Sequence, residues 1–164
     1  MLSISYIIAT FFGSGRLPYA PGTWGTIAGL IIAFIGYFYH LSAQAYLLIA
    51  GILFFIGWIT SEHILKSTEY QDTDPSFIVI DEVVGLFVTI GLLGLYKPLT
   101  PDLLFISFFV FRLFDIFKPW PICWIDEILA KSTKTAALGI MTDDVLAGIM
   151  AVFCVLIIHY FTSF

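Results

Sequence analysis

Apolar residues run through this chain in long stretches separated by short polar clusters, and the breaks define the elements. Residues 4–12 predict a short helix that lies at the bilayer interface or dips into it. The segment Gly13-Ser14-Gly15-Arg16-Leu17-Pro18-Tyr19-Ala20-Pro21-Gly22-Thr23 follows, and its glycines and prolines predict an irregular loop. No charged side chain occurs from Leu17 through Ser61, a span too long for one crossing and divided at His40-Leu41-Ser42, so it predicts two antiparallel helices. The first of these is capped by Thr23 or Thr26 and runs to about Tyr39. The second covers about residues 43–60 and leaves the apolar zone as Ser61-Glu62-His63-Ile64-Leu65-Lys66-Ser67, a polar extension reaching Asp74-Pro75. A fourth helix spans about residues 77–94 and stops before Lys97-Pro98. Thr100-Pro101-Asp102 opens a fifth, with proline in the first turn; it continues past Arg112 and Asp115 and stops at Lys118-Pro119-Trp120-Pro121. Residues 122–130 predict a short amphipathic helix and residues 131–135 a polar loop. A last helix runs from Thr142-Asp143-Asp144 to about Phe161. The expected fold is all-α: a polytopic membrane helical bundle of about five long helices plus short interfacial ones, forming one membrane-embedded domain over residues 1–164.

Composition supports this class. Hydrophobic residues make up 60% of the chain and charged residues 12%, against about 45–50% and 25% in soluble domains, and the mean hydropathy is +1.00. A net charge of -5 with scattered basic residues excludes a phosphate-backbone stripe, so no nucleic-acid partner is expected. Cys123 and Cys154 lack a paired spacing and read as buried, reduced thiols. Residues 1–12 lack a basic leader and a small-residue cleavage site, so they are expected to stay in the mature protein. Alternating helices place the 13–23 loop, the start of the fourth helix, the end of the fifth and the start of the last on one face. Arg16, Lys66, Arg112, Lys118, Lys131 and Lys134 fall there and only Lys97 opposite, which makes the polar face cytoplasmic. Trp58, Trp120 and Trp124 are expected near that boundary.

Candidate chemistry begins with Asp81-Glu82, two carboxylates interrupting the apolar run Phe77-Ile78-Val79-Ile80 to Val83-Val84-Gly85-Leu86. An ionised acid at bilayer depth costs at least ~2.5–3.5 kcal/mol, so a cation or polar cavity must compensate it. Asp81 reads as a direct metal ligand and Glu82 as a direct or water-mediated one; the plainer alternative is a pair of acids favouring a helix N-terminus at its wet mouth. Arg112, Asp115 and Lys118, spaced i, i+3, i+6, can bind a phosphoryl group through the cations and a metal through Asp115; the plainer alternative is a self-satisfied Arg–Asp pair. Asp143 and Asp144 open the last helix, where one cap accounts for one of them. The small residues Gly139, Ala147 and Gly148, facing Gly85, allow close approach and would bring Asp143 or Asp144 towards Asp81 and Glu82. Three or four convergent carboxylates make a hard-cation site suited to Mg²⁺. The glycine-rich segments around Arg16 and Thr23 supply backbone N–H groups, hydroxyls and a guanidinium for an anion, although no Walker A lysine follows. His40, His63 and His159 are scattered and carry no assignment.

Four ordered motifs spread across nearly the whole chain resemble the phosphatidylglycerophosphatase A family: Phe12-Gly13-Ser14-Gly15-Arg16 with Ala20-Pro21-Gly22-Thr23-Trp24-Gly25-Thr26; Ile80-Asp81-Glu82-Val83-Val84-Gly85; Phe111-Arg112-Leu113-Phe114-Asp115-Ile116-Phe117-Lys118-Pro119-Trp120-Pro121-Ile122; and Gly139-Ile140-Met141-Thr142-Asp143-Asp144-Val145-Leu146-Ala147-Gly148. The resemblance implies an all-helical fold, Mg²⁺ dependence, and hydrolysis of phosphatidylglycerol phosphate to phosphatidylglycerol and phosphate in phospholipid biosynthesis. The expected protein is a multi-pass phosphatase of the bacterial inner (cytoplasmic) membrane with its active face cytoplasmic. Its expected metal ligands are Asp81, Glu82, Asp143 and Asp144, and its phosphate-binding residues Arg16, Thr23, Arg112 and Lys118. Asp81, Asp115 and Asp144 are expected to be catalytic, Asp115 either orienting Arg112 or acting as base. A small cation or metal transporter using the same acids is the alternative; the apolar distal halves of the helices argue against a conduit. A lipid phosphotransferase would carry an aspartate-rich motif with Gly-Ala-Arg, which is absent.

Overall fold

Residues 80–96 combine large apolar side chains with Gly85 and Gly91, small positions that let neighbouring helices close over this one. In the computed structural model, which describes residues 2–67, 74–130 and 135–162, the chain folds as α1 (Leu2–Ala9), a 3₁₀ turn (Ser14–Arg16), α2 (Pro21–Phe38), α3 (Ala43–Leu65), α4 (Ile80–Tyr96), α5 (Pro101–Phe117), α6 (Ile122–Ala130) and α7 (Ala136–Thr162). The described residues contain no strand. Helix α4 is the hub, packed against α2, α3, α5 and α7, with Asp81, Val83, Val84, Gly85, Leu86, Phe87 and Ile90 among its buried residues. The outer helices bury one face and expose the other, as Ile31 and Ile35 on α2, Leu48 and Ile59 on α3 and Phe153 and Ile157 on α7 show. Helices α2, α3 and α7 are long and apolar enough to cross a bilayer. The described residues form an all-helical membrane bundle with five long helices.

Two cavities at opposite ends establish the alternation of direction. Lys97, Thr100, Asp102 and His159 share one, so the end of α4, the start of α5 and the end of α7 meet there. The start of α2, the start of α4, the end of α5 and the first half of α7 meet at the other. Between these ends α4 and α7 touch through their backbones. A Cβ added to Gly148 would stand 2.6 Å from Gly85 O, and one added to Gly85 would stand 2.7 Å from Asp144 O. Thr89 Oγ1 donates to Gly85 O at 2.8 Å on the same seam.

Several boundaries differ from those read in the sequence. Helix α7 begins at Ala136 and not at Thr142, because Ala136, Ala137 and Met141 are buried and the N–H of Gly139 already donates to Thr135 O at 2.8 Å. Asp143 and Asp144 are therefore two turns inside a helix and cap nothing. The loop after α1 contains a regular 3₁₀ turn, and α2 starts at Pro21 with Ala20 as its cap residue, so neither Thr23 nor Thr26 caps it. Thr26 instead donates back to Gly22 O at 2.8 Å. Helix α3 continues through Glu62 and His63 to Leu65, with Glu62 paired to Lys66 at 2.6 Å. Helix α4 starts at Ile80, since the N–H of Val79 is bound to Ala9 O at 2.9 Å and docks the preceding segment on α1. Trp120 and Trp124 are exposed, whereas Trp58 is half-buried. Cys123 and Cys154 are free and half-buried. Lys131 and Lys134, assigned above to the polar face, lie outside the described residues, as does part of the extension after Ser67.

Candidate functional site

The close seam between α4 and α7 brings acids from two helices together. One carboxylate oxygen from each of Asp81, Glu82 and Asp144 can be chosen so that all lie within 4.8 Å of one another. Asp81 is 8% exposed and Asp144 3%. Each of the three has a buried oxygen without a hydrogen-bond partner: Asp81 Oδ1, Glu82 Oε2 and Asp144 Oδ2. Leaving such atoms bare is costly, and a hard divalent cation takes oxygen ligands of this kind. Gly22, at the start of α2, completes the cradle, because a side chain there would run into the Glu82 carboxylate and lie 3.3 Å from Arg112 Nη1. The donor set therefore fits a small divalent cation.

Arg112 stands beside this trio from the last turns of α5. Its Nη1 is ion-paired to Asp115 and lies 3.9 Å from Glu82 Oε1, and its Nη2 donates to Thr23 Oγ1 at 3.3 Å. Its Nε is buried without a partner. Asp115 and Thr23 thus fix the guanidinium, and Asp115 shares the cavity with Asp144. Lys118 ends α5 in a left-handed conformation, φ 38°. Its ammonium is ion-paired to Asp143 of α7 and to Asp126 of α6, the latter at 3.2 Å. Burial pulls its pKa down, but these two carboxylates outweigh burial and hold Lys118 above the usual lysine value.

The residues named in the sequence separate into three groups. Asp81, Glu82, Arg112, Asp115, Lys118, Asp143 and Asp144 line one cavity of about 250 Å³. Within it Asp143 is not part of the trio: one oxygen takes Lys118 and the other accepts the N–H of Asp144 at 3.0 Å. Thr23 reaches the site through Arg112. Arg16 does not line the cavity; it is exposed on the 3₁₀ turn. The N–H groups around it are consumed locally, with Gly13 and Gly15 donating to Thr10 O and Arg16 to Gly13 O, so that loop offers no anion cradle. Gly22 and Thr23, in the first turn of α2, have no backbone hydrogen bond from their N–H groups among the described residues, and this helix start faces the cavity. Asp74, which lines the cavity, and Asp126, which pairs with Lys118, are not among the residues the sequence singles out. Asp126 belongs to the amphipathic helix with no spacing that links it to Lys118, and Gly22, part of the glycine-rich segment expected to cradle an anion, has the further role of leaving room for the Glu82 carboxylate.

Six acids and two bases line the cavity, counting Asp74, Asp81, Glu82, Asp115, Asp143 and Asp144 against Arg112 and Lys118. A phosphate would be repelled by this balance, and a bound divalent cation lessens the repulsion. The arrangement can hold a cation and, against it, an anion reached by Arg112.

The sequence profile of the family described as Phosphatidylglycerophosphatase A matches residues 7–159. The chain is similar to a Phosphatidylglycerophosphatase A of Haemophilus influenzae, 36% identical over 161 residues that cover 98% of this chain and 91% of the relative. It is similar to the Phosphatidylglycerophosphatase A of Escherichia coli K12, 32% identical over 89% of this chain and 78% of that one. A Bacteroides thetaiotaomicron protein provisionally named a phosphatidylinositol-3-phosphatase is 33% identical over 87% of this chain and 86% of that one. No solved structure matches. With the profile spanning nearly the whole chain and relatives matched along most of their length, this chain belongs to the phosphatidylglycerophosphatase A family and is a phosphatase.

Proposed function

We propose that this protein hydrolyses the terminal phosphomonoester of phosphatidylglycerol phosphate, releasing phosphatidylglycerol and inorganic phosphate, with Mg²⁺ as its cation. The observation that carries this reading is the trio Asp81, Glu82 and Asp144, each with a bare buried oxygen, set beside a fixed arginine at one end of a membrane bundle. The relatives named as phosphatidylglycerophosphatases supply the headgroup. Asp81, Glu82 and Asp144 would hold the ion, and residues 1–164 act as one catalytic unit in a bacterial inner membrane with the site on the cytoplasmic side. When bound, a divalent ion supplies charge neutralisation for the phosphate and Lewis acidity towards a water.

The remaining roles belong to this chain's own residues. Arg112 presents its guanidinium to the equatorial phosphate oxygens, where charge builds as the water oxygen bonds to phosphorus and the bond to the glycerol oxygen breaks. Asp115 holds Arg112 in place, accepts the proton lost by the water and returns it to the departing glycerol oxygen. The N–H groups of Gly22 and Thr23 add donors at a helix start, where an anion is favoured. Lys118 holds Asp143 and, through the backbone of residue 144, aligns Asp144.

The test is phosphate release by purified, detergent-solubilised protein from phosphatidylglycerol phosphate, with Mg²⁺ and with chelator. Release that depends on the ion supports the reading. Folded protein that releases no phosphate with any divalent metal contradicts it.

A further inference from the structure

The rim of the cavity is two-sided. Four of its lining residues are exposed: Asp74 and Ser76 on the segment before α4, and Ala20 and Ile116 at the start of α2 and the end of α5. One side is polar and the other apolar. Ile116 lines the cavity while 64% exposed, and it tops a stripe on α5 formed with Leu113, Phe109 and Phe105, spaced by three, four and four residues and therefore on one helix face. All four are exposed. Below the rim the seam between α2 and α5 is closed by Phe34 and Phe105, whose ring centroids lie 5.1 Å apart. An apolar track thus leads from the lipid-facing side of the bundle to the cavity that holds Arg112.

From this we infer that a lipid phosphomonoester enters sideways from the bilayer between Ala20 and Ile116, its acyl chains lying along Ile116, Leu113 and Phe109 while its phosphate reaches Arg112. The inference rests on the reading that the cavity takes a lipid phosphate, and adds the subsite for the diacylglycerol part. Two features select this occupant. The track is continuous with an anion-reaching cavity, and it lies on a helix face with no protein packed over it among the described residues, so chains can remain in the bilayer. A soluble phosphomonoester would have no use for the apolar side; it would meet only the polar rim. The exposed face of α3, with Leu48, Ile52 and Ile59, is equally apolar but none of its residues lines the cavity, and it provides the comparison.

The experiment places a tryptophan on each face, Ile116→Trp and Ile52→Trp, and reads the fluorescence lost on adding lipids brominated in the acyl chain, relative to wild type in the same vesicles. A brominated phosphatidylglycerol phosphate should quench position 116 at least about twofold more than a brominated phosphatidylglycerol at equal mole fraction, with excess unbrominated phosphomonoester reversing the difference. At position 52 the two lipids should quench alike. Equal quenching at 116, or the same selectivity at 52, overturns the inference. Narrowing the rim by Ala20→Trp should raise KM for the vesicle substrate more than it lowers kcat, and an unchanged KM also counts against lateral entry. Selective quenching by a protein that releases no phosphate would remove the hydrolytic reading and leave the subsite standing; normal hydrolysis without selective quenching would do the reverse.

Discussion

Replacing Gly85 with alanine is expected to weaken divalent-metal binding while leaving the bundle folded. The added methyl group would lie 2.7 Å from Asp144 O on α7, where ordinary contact begins at 3.4 Å, and it would also meet the ring of buried Phe111. Relieving the first overlap requires α4 and α7 to separate locally by about 0.7 Å, several times the ~0.2 Å tolerance of a metal–ligand distance. Asp81 and Glu82 move with one helix and Asp144 with the other, so the separation acts directly on the trio. Overpacking of this kind costs roughly 1–3 kcal/mol of stability, and displacing the support of a ligand set costs roughly 10–100-fold in metal affinity. Isothermal titration with Mg²⁺ in detergent, with circular dichroism to verify helix content, measures both. Gly51→Ala on α3 is the control, since a Cβ there meets nothing within 4 Å and should be neutral or stabilising by about 0.5–1 kcal/mol. Wild-type metal affinity in folded Gly85→Ala protein would refute the argument that the α4–α7 approach builds the site.

Three further outcomes follow from the same geometry. Asp81→Asn and Asp144→Asn, which remove charge at nearly constant volume, should each lower phosphate release by roughly 10²–10³-fold with helix content intact, as dichroism and a phosphate assay would show. Arg112→Ala should lower kcat by roughly 10²-fold, whereas Arg16→Ala, at an exposed position outside the cavity, should stay within about twofold on the same assay; equal losses would place Arg16 in the site. Lys118 has a folded pKa above its unfolded value of about 10.4, so its contribution is complete below that pH and is lost as pH rises through the folded value. Thermal unfolding scans should therefore show wild type losing stability above pH ~10.4 more steeply than Lys118→Met, and identical alkaline profiles would contradict the ion pairs to Asp143 and Asp126.

The parts of this arrangement visible in the sequence are those where a local pattern conflicts with its surroundings. Asp81 and Glu82 stand out because two acids inside an apolar run require compensation, and Gly85 and Gly148 because small residues on apolar helices mark close packing. Arg112 and Asp115 share a helix stripe, so their pairing is local. The start of α7 is not legible locally, because Thr142-Asp143-Asp144 resembles a cap while the burial that carries the helix back to Ala136 is tertiary. Arg16 stands apart from the cavity although glycines beside a cation resemble an anion loop, because the N–H groups of Gly13 and Gly15 turn inward onto Thr10. The bridge from Lys118 to Asp126 depends on how the chain reverses between α5 and α6, which no periodicity encodes.

The other outcomes depend on a divalent ion being held between α4 and α7. Anomalous diffraction from a crystal soaked in Mn²⁺, as a stand-in for Mg²⁺, addresses it directly. The account predicts a peak at direct-ligand distance, about 2.1 Å for an ion of magnesium's size, from carboxylate oxygens of both Asp81 and Asp144. A peak that touches only one of these helices, or none in this cavity at saturating metal, would contradict it.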